Sequence, residues 1–315
     1  MNPHDGYIQY IVNPKSGASS SKELVCGFQN YLKQRRFDVR LVFTESLEHA
    51  CELATQAAVD YDCALVCAAG GDGTLREVIH GLEGSDKVLL PTPCGTENLL
   101  ANELGFDFTL ESVIQAFEGS TRRPLDLGVL NGKCFTAIAG FGFDGAVIHR
   151  MHGVRCGHIN HLDYFWPIWR TFWEYNFPPM RVEADGREIF NGRGLVFVGN
   201  ISRYAIGLSI LKNADYGDGL LDVCIFKCTN QACLLWHAFK TALKRHIPGK
   251  NALYTQAKSI RVEPVGDPTL YCQIDGDPGP AMPAEIKVIP HAIHVLVPPG
   301  AKPAGIRTRL RRMIG

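Results

Sequence analysis

Along the first third of the chain, short apolar runs alternate with longer stretches of helical period. "YIQYIVN" from Tyr7, "FDVRLVFT" from Phe37, "CALVCAA" from Cys63 and "KVLLPTP" from Lys87 have the length and apolar content of strands. Between them, residues 22–34, 47–59, 75–82 and 97–104 space their apolar side chains as helices do. Strand and helix in turn, with short glycine-rich joins, predict a parallel sheet covered on both faces. The pattern fades near Arg123. Beyond it, "RVEADGREIF" is two alternating runs about Asp185-Gly186, a hairpin signal. "GLVFVGN", "GLLDVCIF", "SIRVEP", "LYCQIDG" and "AEIKVIP" are further strands separated by turn chemistry, and "QACLLWHAFKTALKRH" is one clear helix. The second half therefore predicts an antiparallel β domain. "AIHVLVPPG" fits either half, and 315 residues suit two domains.

Composition changes this picture little. The chain is 46% hydrophobic and 20% charged, and its 32 basic residues balance 32 acidic ones. No global field favours nucleic acid or a charged membrane. The local exception is the end of the chain, where Lys302, Arg307, Arg309, Arg311 and Arg312 crowd without an acid. That stretch reads as a solvated terminus or as a weak anchor on anionic lipid. Eleven cysteines form no C-x-x-C pair and sit largely in apolar runs. They read as small buried hydrophobes in a reducing compartment. No signal-peptide pattern opens the chain, and no apolar run reaches the ~18 residues of a membrane span. The cytosol is the expected compartment, with peripheral membrane contact left open.

Candidate chemistry concentrates at the strand-to-helix joins. "GGDGTL", Gly70 to Leu75, places three glycines and Asp72 between an apolar strand and a helix. In an open parallel sheet ligands sit beyond the carboxyl ends of strands. Glycines allow close approach, and helix-start N–H groups carry partial positive charge, so such a loop cradles phosphate oxygens. A carboxylate there would repel phosphate directly, so Asp72 suggests an intervening Mg²⁺ or its water shell. A plain capped turn is the alternative reading. The loop is neither a Walker A motif nor G-x-G-x-x-G. "VNPKSGASS" and "PCGTENLLANELG" end two other strands in the same way. Three such loops are expected to converge on one sheet edge and to hold a polyanion such as a nucleotide.

"VNPKSG", "GGDGTLREVIHGL", "GTENLLANELG", "LDLGVLNGKCFTAIAGFGFDGAV", "DGLLDV" and "IDGD", in that order, resemble the diacylglycerol kinase catalytic-domain family, which includes bacterial soluble lipid kinases and sphingosine kinases. The similarity runs from about Tyr7 to Val297. GGDGT alone also occurs in NAD kinases; the ordered set is more specific. The resemblance implies an N-terminal phosphofructokinase-like α/β domain, about residues 1–128, and a C-terminal antiparallel β-sandwich, about 129–297. Residues 298–315 could return to the first domain. ATP is expected between the two domains. By motif, Asn13, Pro14, Lys15, Ser16 and Gly17 would line the nucleotide site with Thr44. Gly70, Gly71, Asp72, Gly73, Thr74 and Leu75 would hold phosphates, and Thr96 would close the site. Asp126 of "LDLG" matches a carboxylate associated with Mg²⁺ in bacterial members. Asp215, Asp218 and Leu220 match a structural metal site held partly by backbone carbonyls, an oxygen set suited to Mg²⁺.

Two positions depart from the family pattern. Its late strand usually ends in D-G-E, the glutamate being the proposed base, whereas this chain has "IDGD" with Asp277 there. Asp277 is assigned the catalytic base, against the alternative that Asp275-Gly276 makes a hairpin and Asp277 is merely solvated. After "GTEN", where bacterial members often carry an aspartate, this chain has Leu99, as sphingosine kinases have an apolar residue. The implied activity is ATP-dependent phosphorylation of a hydroxyl on a diacylglycerol-like or sphingoid-like lipid at a membrane surface. The alternatives are a kinase of a soluble metabolite and an inactive nucleotide-binding protein. No nucleic-acid partner is indicated, and a homodimer is left open.

Two further stretches carry less. Residues 161–179 hold three of the four tryptophans, and on a helix their apolar positions cover more than half the circumference. Such a helix either docks wholly in the core or borders lipid with one face. His149, His152, Cys156, His158 and His161 match no standard zinc spacing. His291 and His294 are expected at the edges of an apolar strand.

Overall fold

The computed structural model describes residues 5–17, 19–152, 165–204 and 207–301. The chain divides into two compact units. Unit 1 comprises the chain through Asp126, the short segment Tyr216–Asp218 and the chain from Pro290 onward; unit 2 holds Leu127–Asp215 and Gly219–Ile289. The expected pairing of an α/β domain with a β-sandwich is what the chain forms.

In unit 1, β1 (Tyr7–Val12), β2 (Asp38–Phe43), β3 (Cys63–Gly70) and β4 (Val88–Pro93) pair in parallel in the order β4-β3-β1-β2. Every residue of β1 and β4 is buried, as expected of inner strands covered on both faces. Edge strand β2 alternates exposed and half-buried positions. Each crossover carries a helix: α1 (Ser19–Gln34), α2 (Leu47–Val59) and α3 (Asp72–Leu82). Helix α2 starts where the Ser46 hydroxyl accepts the His49 N–H at 3.1 Å. Its buried residues Ala50, Ala54 and Ala57 are small. Gly81 of α3 completes that close approach, since a Cβ there would lie 2.4 Å from the Cys51 carbonyl and 2.7 Å from the Ala54 methyl. After β4 come the short α4 (Leu99–Glu103) and α5 (Leu110–Gly119), the second capped by Thr109. The 97–104 stretch is thus only five residues of helix, and α5 is an addition to the expected elements. Tyr10, Phe28, Phe37 and Phe117 meet edge to face in the core.

Unit 2 is antiparallel. Its strands are the later part of β5 (Thr121–Leu130), β6 (Lys133–Phe135), β7 (Ile138–Phe141), β8 (Pro179–Ala184), β9 (Arg187–Gly199), β10 (Leu221–Lys227), β11 (Ala252–Ala257), β12 (Ser259–Pro264), β13 (Cys272–Ile274), β14 (Asp277–Pro278) and the start of β15 (Ala284–Val297). Long β9 serves two sets of partners: its first half pairs with β8, its second with β7 and β10. Among the described residues, three helices accompany the strands: α6 (Phe143–His152), α7 (Phe165–Glu174) and α8 (Gln231–Ala242). "AEIKVIP" and "AIHVLVPPG" form the single strand β15, whose end pairs in parallel with β4. His291 and His294 therefore lie within a strand, exposed, and not at its edges.

Three hairpins of unit 2 turn on an Asx-Gly pair with both residues at positive φ: Asn131-Gly132, Asp185-Gly186 and Asp275-Gly276. In each, the Asx side chain also secures a distant loop. Asp185 accepts from the Lys258 and Ser259 amides at 3.0 and 2.9 Å. Asn131 donates to the Ala281 and Pro283 carbonyls and accepts from the Glu285 amide. The same residue thus sets the turn and staples the sandwich.

No helix among the described residues is long and apolar enough to cross a membrane. Seven of the ten described cysteines are buried and all ten are unbridged, in keeping with small core hydrophobes. The basic chain end and most of the His/Cys cluster lie outside the described residues. Of that cluster, the His149 ring lies tilted against Tyr271 with centroids 4.5 Å apart.

Candidate functional site

The parallel order of unit 1 puts the loops after β1, β3 and β4 at one edge of the sheet, and side chains tie them to one another. In the first loop, Asn13 Oδ1 accepts the Lys15 amide at 2.9 Å, which turns the chain and leaves Pro14 and Lys15 exposed. Asn13 Nδ2 donates to Thr74 Oγ1 in the second loop at 2.8 Å. Gly17, at φ +82°, closes against the third: a Cβ there would meet the Cys94 carbonyl at 2.2 Å. Ser21 Oγ donates to that same carbonyl at 3.2 Å.

The second and third loops are in backbone contact. A Cβ on Gly95 would sit 2.5 Å from the Gly71 Cα, and one on Gly70 would sit 2.4 Å from the Thr74 Cβ. Helix α3 begins at Asp72 with Gly71 as its cap, so its first N–H groups open at this junction without intrahelical partners. Asp72 Oδ1 accepts the Leu100 amide at 3.2 Å, so the carboxylate helps set the start of α4. Asn98, fully buried and in the left-handed conformation, clamps the third loop by bonding both the amide and the carbonyl of Gly95. Thr96 lies exposed on that loop, and Thr44 is buried at the end of β2, its amide bonded to the Val12 carbonyl at 2.8 Å. A cavity of about 10 Å³, lined by residues of β3, α3 and β4 with Asn98, has room for about one water behind the junction. Asn13, Gly17, Gly70–Leu75 and Thr96 are thus gathered at one place. Asn98 and Ser21 are parts of that assembly not singled out from sequence, although both stand within or beside the quoted loops.

Asp126 is fully buried elsewhere in unit 1. Its Oδ1 accepts the His291 amide and its own amide donates to the Tyr216 carbonyl, both at 2.7 Å. His291 Nε2 lies 3.3 Å from the Gly217 carbonyl. The Tyr216–Asp218 segment is therefore bound to the Asp126 neighbourhood, while Asp215 and Leu220 on either side belong to unit 2.

In unit 2, Asp277 opens β14 directly after the Asp275-Gly276 turn and is half-buried. The turn is a hairpin, and Asp275 is its anchor: its two oxygens accept the amides of Thr136, Ala137 and Ile138 at 2.8 to 3.0 Å. Gln273 accepts the Gly276 amide at 2.8 Å and donates to Asp144 Oδ2 at 2.8 Å. Tyr204 donates to the other Asp144 oxygen. Burial raises the Asp144 pKa above the usual carboxylate value, the Tyr204 and Gln273 donors opposing it. The Tyr204 hydroxyl is pushed far up by burial and by the Asp144 carboxylate. Gly140 makes room for this carboxylate, since a Cβ would fall 1.9 Å from Asp144 Oδ2. Asp144 stands in the motif "GFGFDGAV" but was not chosen from sequence, because only the fold brings Gln273 and Tyr204 to it. Also in unit 2, residues of α6, α7 and the segment before β13 line an open cavity of about 690 Å³, His149, Arg150, Tyr175, Arg193 and Tyr271 among them.

Residues 8–130 match the family described as the diacylglycerol kinase catalytic domain, and residues 137–297 match the YegS C-terminal NAD kinase beta sandwich-like domain. A Mycobacterium tuberculosis protein named diacylglycerol kinase is 31% identical over 301 residues, covering 93% of this chain and 96% of its own. The chain belongs to the diacylglycerol kinase family. A second member, the Bacillus subtilis (strain 168) diacylglycerol kinase, is 28% identical across 91% of this chain and 95% of its own. A solved Bacillus anthracis structure described as a diacylglycerol kinase shares the fold, with a TM-score of 0.69 at 20% identity over 94% of this chain and 98% of that one. Membership places the chain among lipid-kinase enzymes.

Proposed function

We propose that the protein transfers the γ-phosphate of ATP to a hydroxyl of a diacylglycerol-like or sphingoid-like lipid. The observation that carries this reading is the junction of the three glycine-bearing loops in unit 1, in a chain of this family. Backbone N–H groups at the start of α3 and in the flanking loops are the donors that a polyphosphate needs, and the glycines let it approach them. Asn13, Lys15, Ser16 and Gly17, with Thr44 and Thr96, complete the nucleotide's surroundings.

Phosphoryl transfer is chiefly positioning and charge neutralisation. Asp72 and Asp126 would serve the Mg²⁺ associated with the nucleotide, and Asp215 and Asp218 with the Leu220 carbonyl would hold a separate structural Mg²⁺; all are hard oxygen donors, which fits that ion. The nucleotide's Mg²⁺ would supply positive charge to the phosphate oxygens. Asp277 accepts the proton of the lipid hydroxyl as its oxygen bonds to the γ-phosphorus and the bond to ADP breaks. A carboxylate can take that proton late in the step, when the O–H bond is already weakened. The buried Asp144, bonded through Gln273 to the Gly276 amide, fixes the hairpin that presents Asp277. The 690 Å³ cavity of unit 2 lies within the size range of ligand sites and suits part of a lipid.

Incubation with γ-labelled ATP and a crude lipid extract, with and without Mg²⁺, tests the reading. Magnesium-dependent label in the organic phase supports it. Label confined to water-soluble product, or ATP binding without transfer, overturns it.

A further inference from the structure

Every tryptophan of this chain is exposed. Trp166, Trp169 and Trp173 of α7 are 67%, 46% and 60% accessible, and Trp236 of α8 is 52% accessible. Indoles are normally among the most buried groups of a domain, so four outward ones need a reason. They do not stand alone. Ile168 lies on α7, and Leu235, Phe239 and Leu243, spaced four apart, flank Trp236, all exposed. The opposite face of α8, with Leu234, His237 and Thr241, is the one that packs inward. The helices adjoin: Gln231, the first residue of α8, donates to the Phe172 and Tyr175 carbonyls at 3.2 and 3.3 Å.

Charge around this apolar surface is mainly positive. From Lys227 to Lys250 the chain carries Lys227, Lys240, Lys244, Arg245 and Lys250 and no acidic residue. Lys240 lies over the Trp236 ring at 5.2 Å. The one acid of α7, Glu174, is ion-paired with both Arg150 and Arg170. This basic run is a local feature of a chain whose total charge is zero.

We propose that the outer faces of α7 and α8 form one docking surface for an anionic lipid bilayer, with the indoles, Leu235 and Phe239 entering the headgroup region and Lys240, Lys244 and Arg245 meeting lipid phosphates. Tryptophan suits that depth because its ring is apolar while its N–H keeps a polar partner. The basic rim matches an anionic leaflet. The same rim opposes a symmetric contact with a second copy, which would bring like charges together. The choice of a bilayer over a protein partner rests on the lipid-kinase reading, since such an enzyme must collect its substrate from a membrane.

Because all four indoles lie on this surface, their own fluorescence reports on it. The full chain is mixed with phosphatidylcholine vesicles, with or without a third phosphatidylglycerol, and no diacylglycerol or ATP is present. Anionic vesicles should co-sediment the protein, shift its emission to the blue and, when brominated lipid is included, quench it. Lys240→Glu with Lys244→Glu should weaken vesicle binding by roughly tenfold or more. Trp236→Ala with Phe239→Ala should do likewise, and neither pair should alter phosphorylation of a dispersed short-chain diacylglycerol. No binding to anionic vesicles, or binding with unchanged emission, overturns the proposal. So does a blue shift without lipid that vanishes on dilution, which would mark contact between copies. Vesicle binding is read without turnover, so failure of the kinase reading would show in the extract assay and not here.

Discussion

The glycine-loop junction of unit 1 and the Asp277 hairpin of unit 2 are built by opposite means. At the junction the chain itself is the instrument: Gly17 and Gly95 bring backbone against backbone, Gly70 makes room for the Thr74 side chain, and among the described residues Asn13, Ser21, Asp72 and Asn98 add side-chain ties. At the hairpin, side chains do the holding across long sequence distances. Asp275 reaches the amides of 136–138, and Asp144 meets Gln273 and Tyr204. A site of the first kind tolerates change in side chains and fails when space is filled. A site of the second kind fails when a single polar atom is removed.

The contrast is sharpest in kinetics. Asp277→Asn should lower kcat by roughly 10² to 10⁴ while ATP affinity stays near that of the parent, because the lost group acts on the proton and not on the nucleotide. Steady-state rates with calorimetric ATP titration separate the two. Unchanged kcat would remove Asp277 from catalysis and leave it a solvated turn residue.

Next in size is Asp275→Ala, which strips the acceptor from three amides and should cost about 2–4 kcal/mol of stability. Thermal or urea denaturation measures this. ATP binding by the folded fraction should be unaffected, since the three amides that lose their acceptor lie in unit 2. Gly70→Ala should act the other way round. Its Cβ would press on Thr74, whose hydroxyl accepts from Asn13, and overpacking of this kind costs about 1–3 kcal/mol. ATP affinity should fall by roughly tenfold to a hundredfold, and the loss should appear in KM for ATP more than in kcat.

How much of each site could be read in advance follows from the same contrast. The strands of unit 1 were legible because inner parallel strands are short apolar runs. Its loops were legible because "VNPKSG", "GGDGT" and "GTEN" each stand at a strand end and need glycine locally. The 47–59 helix was legible to the residue from the spacing of its apolar side chains. In unit 2 the Asp185-Gly186 turn was equally local. The Asp144 group was not, since Gln273 lies 129 positions away and its partnership exists only once β7, β13 and α6 are assembled. Helix α6 carries little apolar periodicity, whereas α5, with Leu110, Val113, Ile114 and Phe117 at helical spacing behind the Thr109 cap, was legible and was passed over. The aromatic helix showed its composition but not its outward face, which depends on what the sandwich covers.

The smallest expected effect concerns the core of unit 2. His237 and His246 each have Nε2 against a backbone carbonyl, Lys227 at 3.0 Å and Ile210 at 2.8 Å, while their buried Nδ1 atoms have no partner among the described residues. Burial lowers both pKa values below the ordinary histidine value. Protonation therefore favours the unfolded chain. The stability these rings contribute is complete above the unfolded value, about 6.5, and is lost as pH falls below it toward the lower folded values. The melting temperature should drop by a few degrees between about pH 8 and about pH 5, and His246→Gln should make that slope shallower.

The central claim is that one rim of unit 1, built from three separate loops, grips a nucleotide's phosphates through backbone amides. Amide hydrogen exchange with and without Mg²⁺-ATP reads those groups directly. Slowed exchange at 13–17, 70–75 and 94–99 together is the predicted result. Unchanged exchange at all three, with protection elsewhere or none, would contradict it.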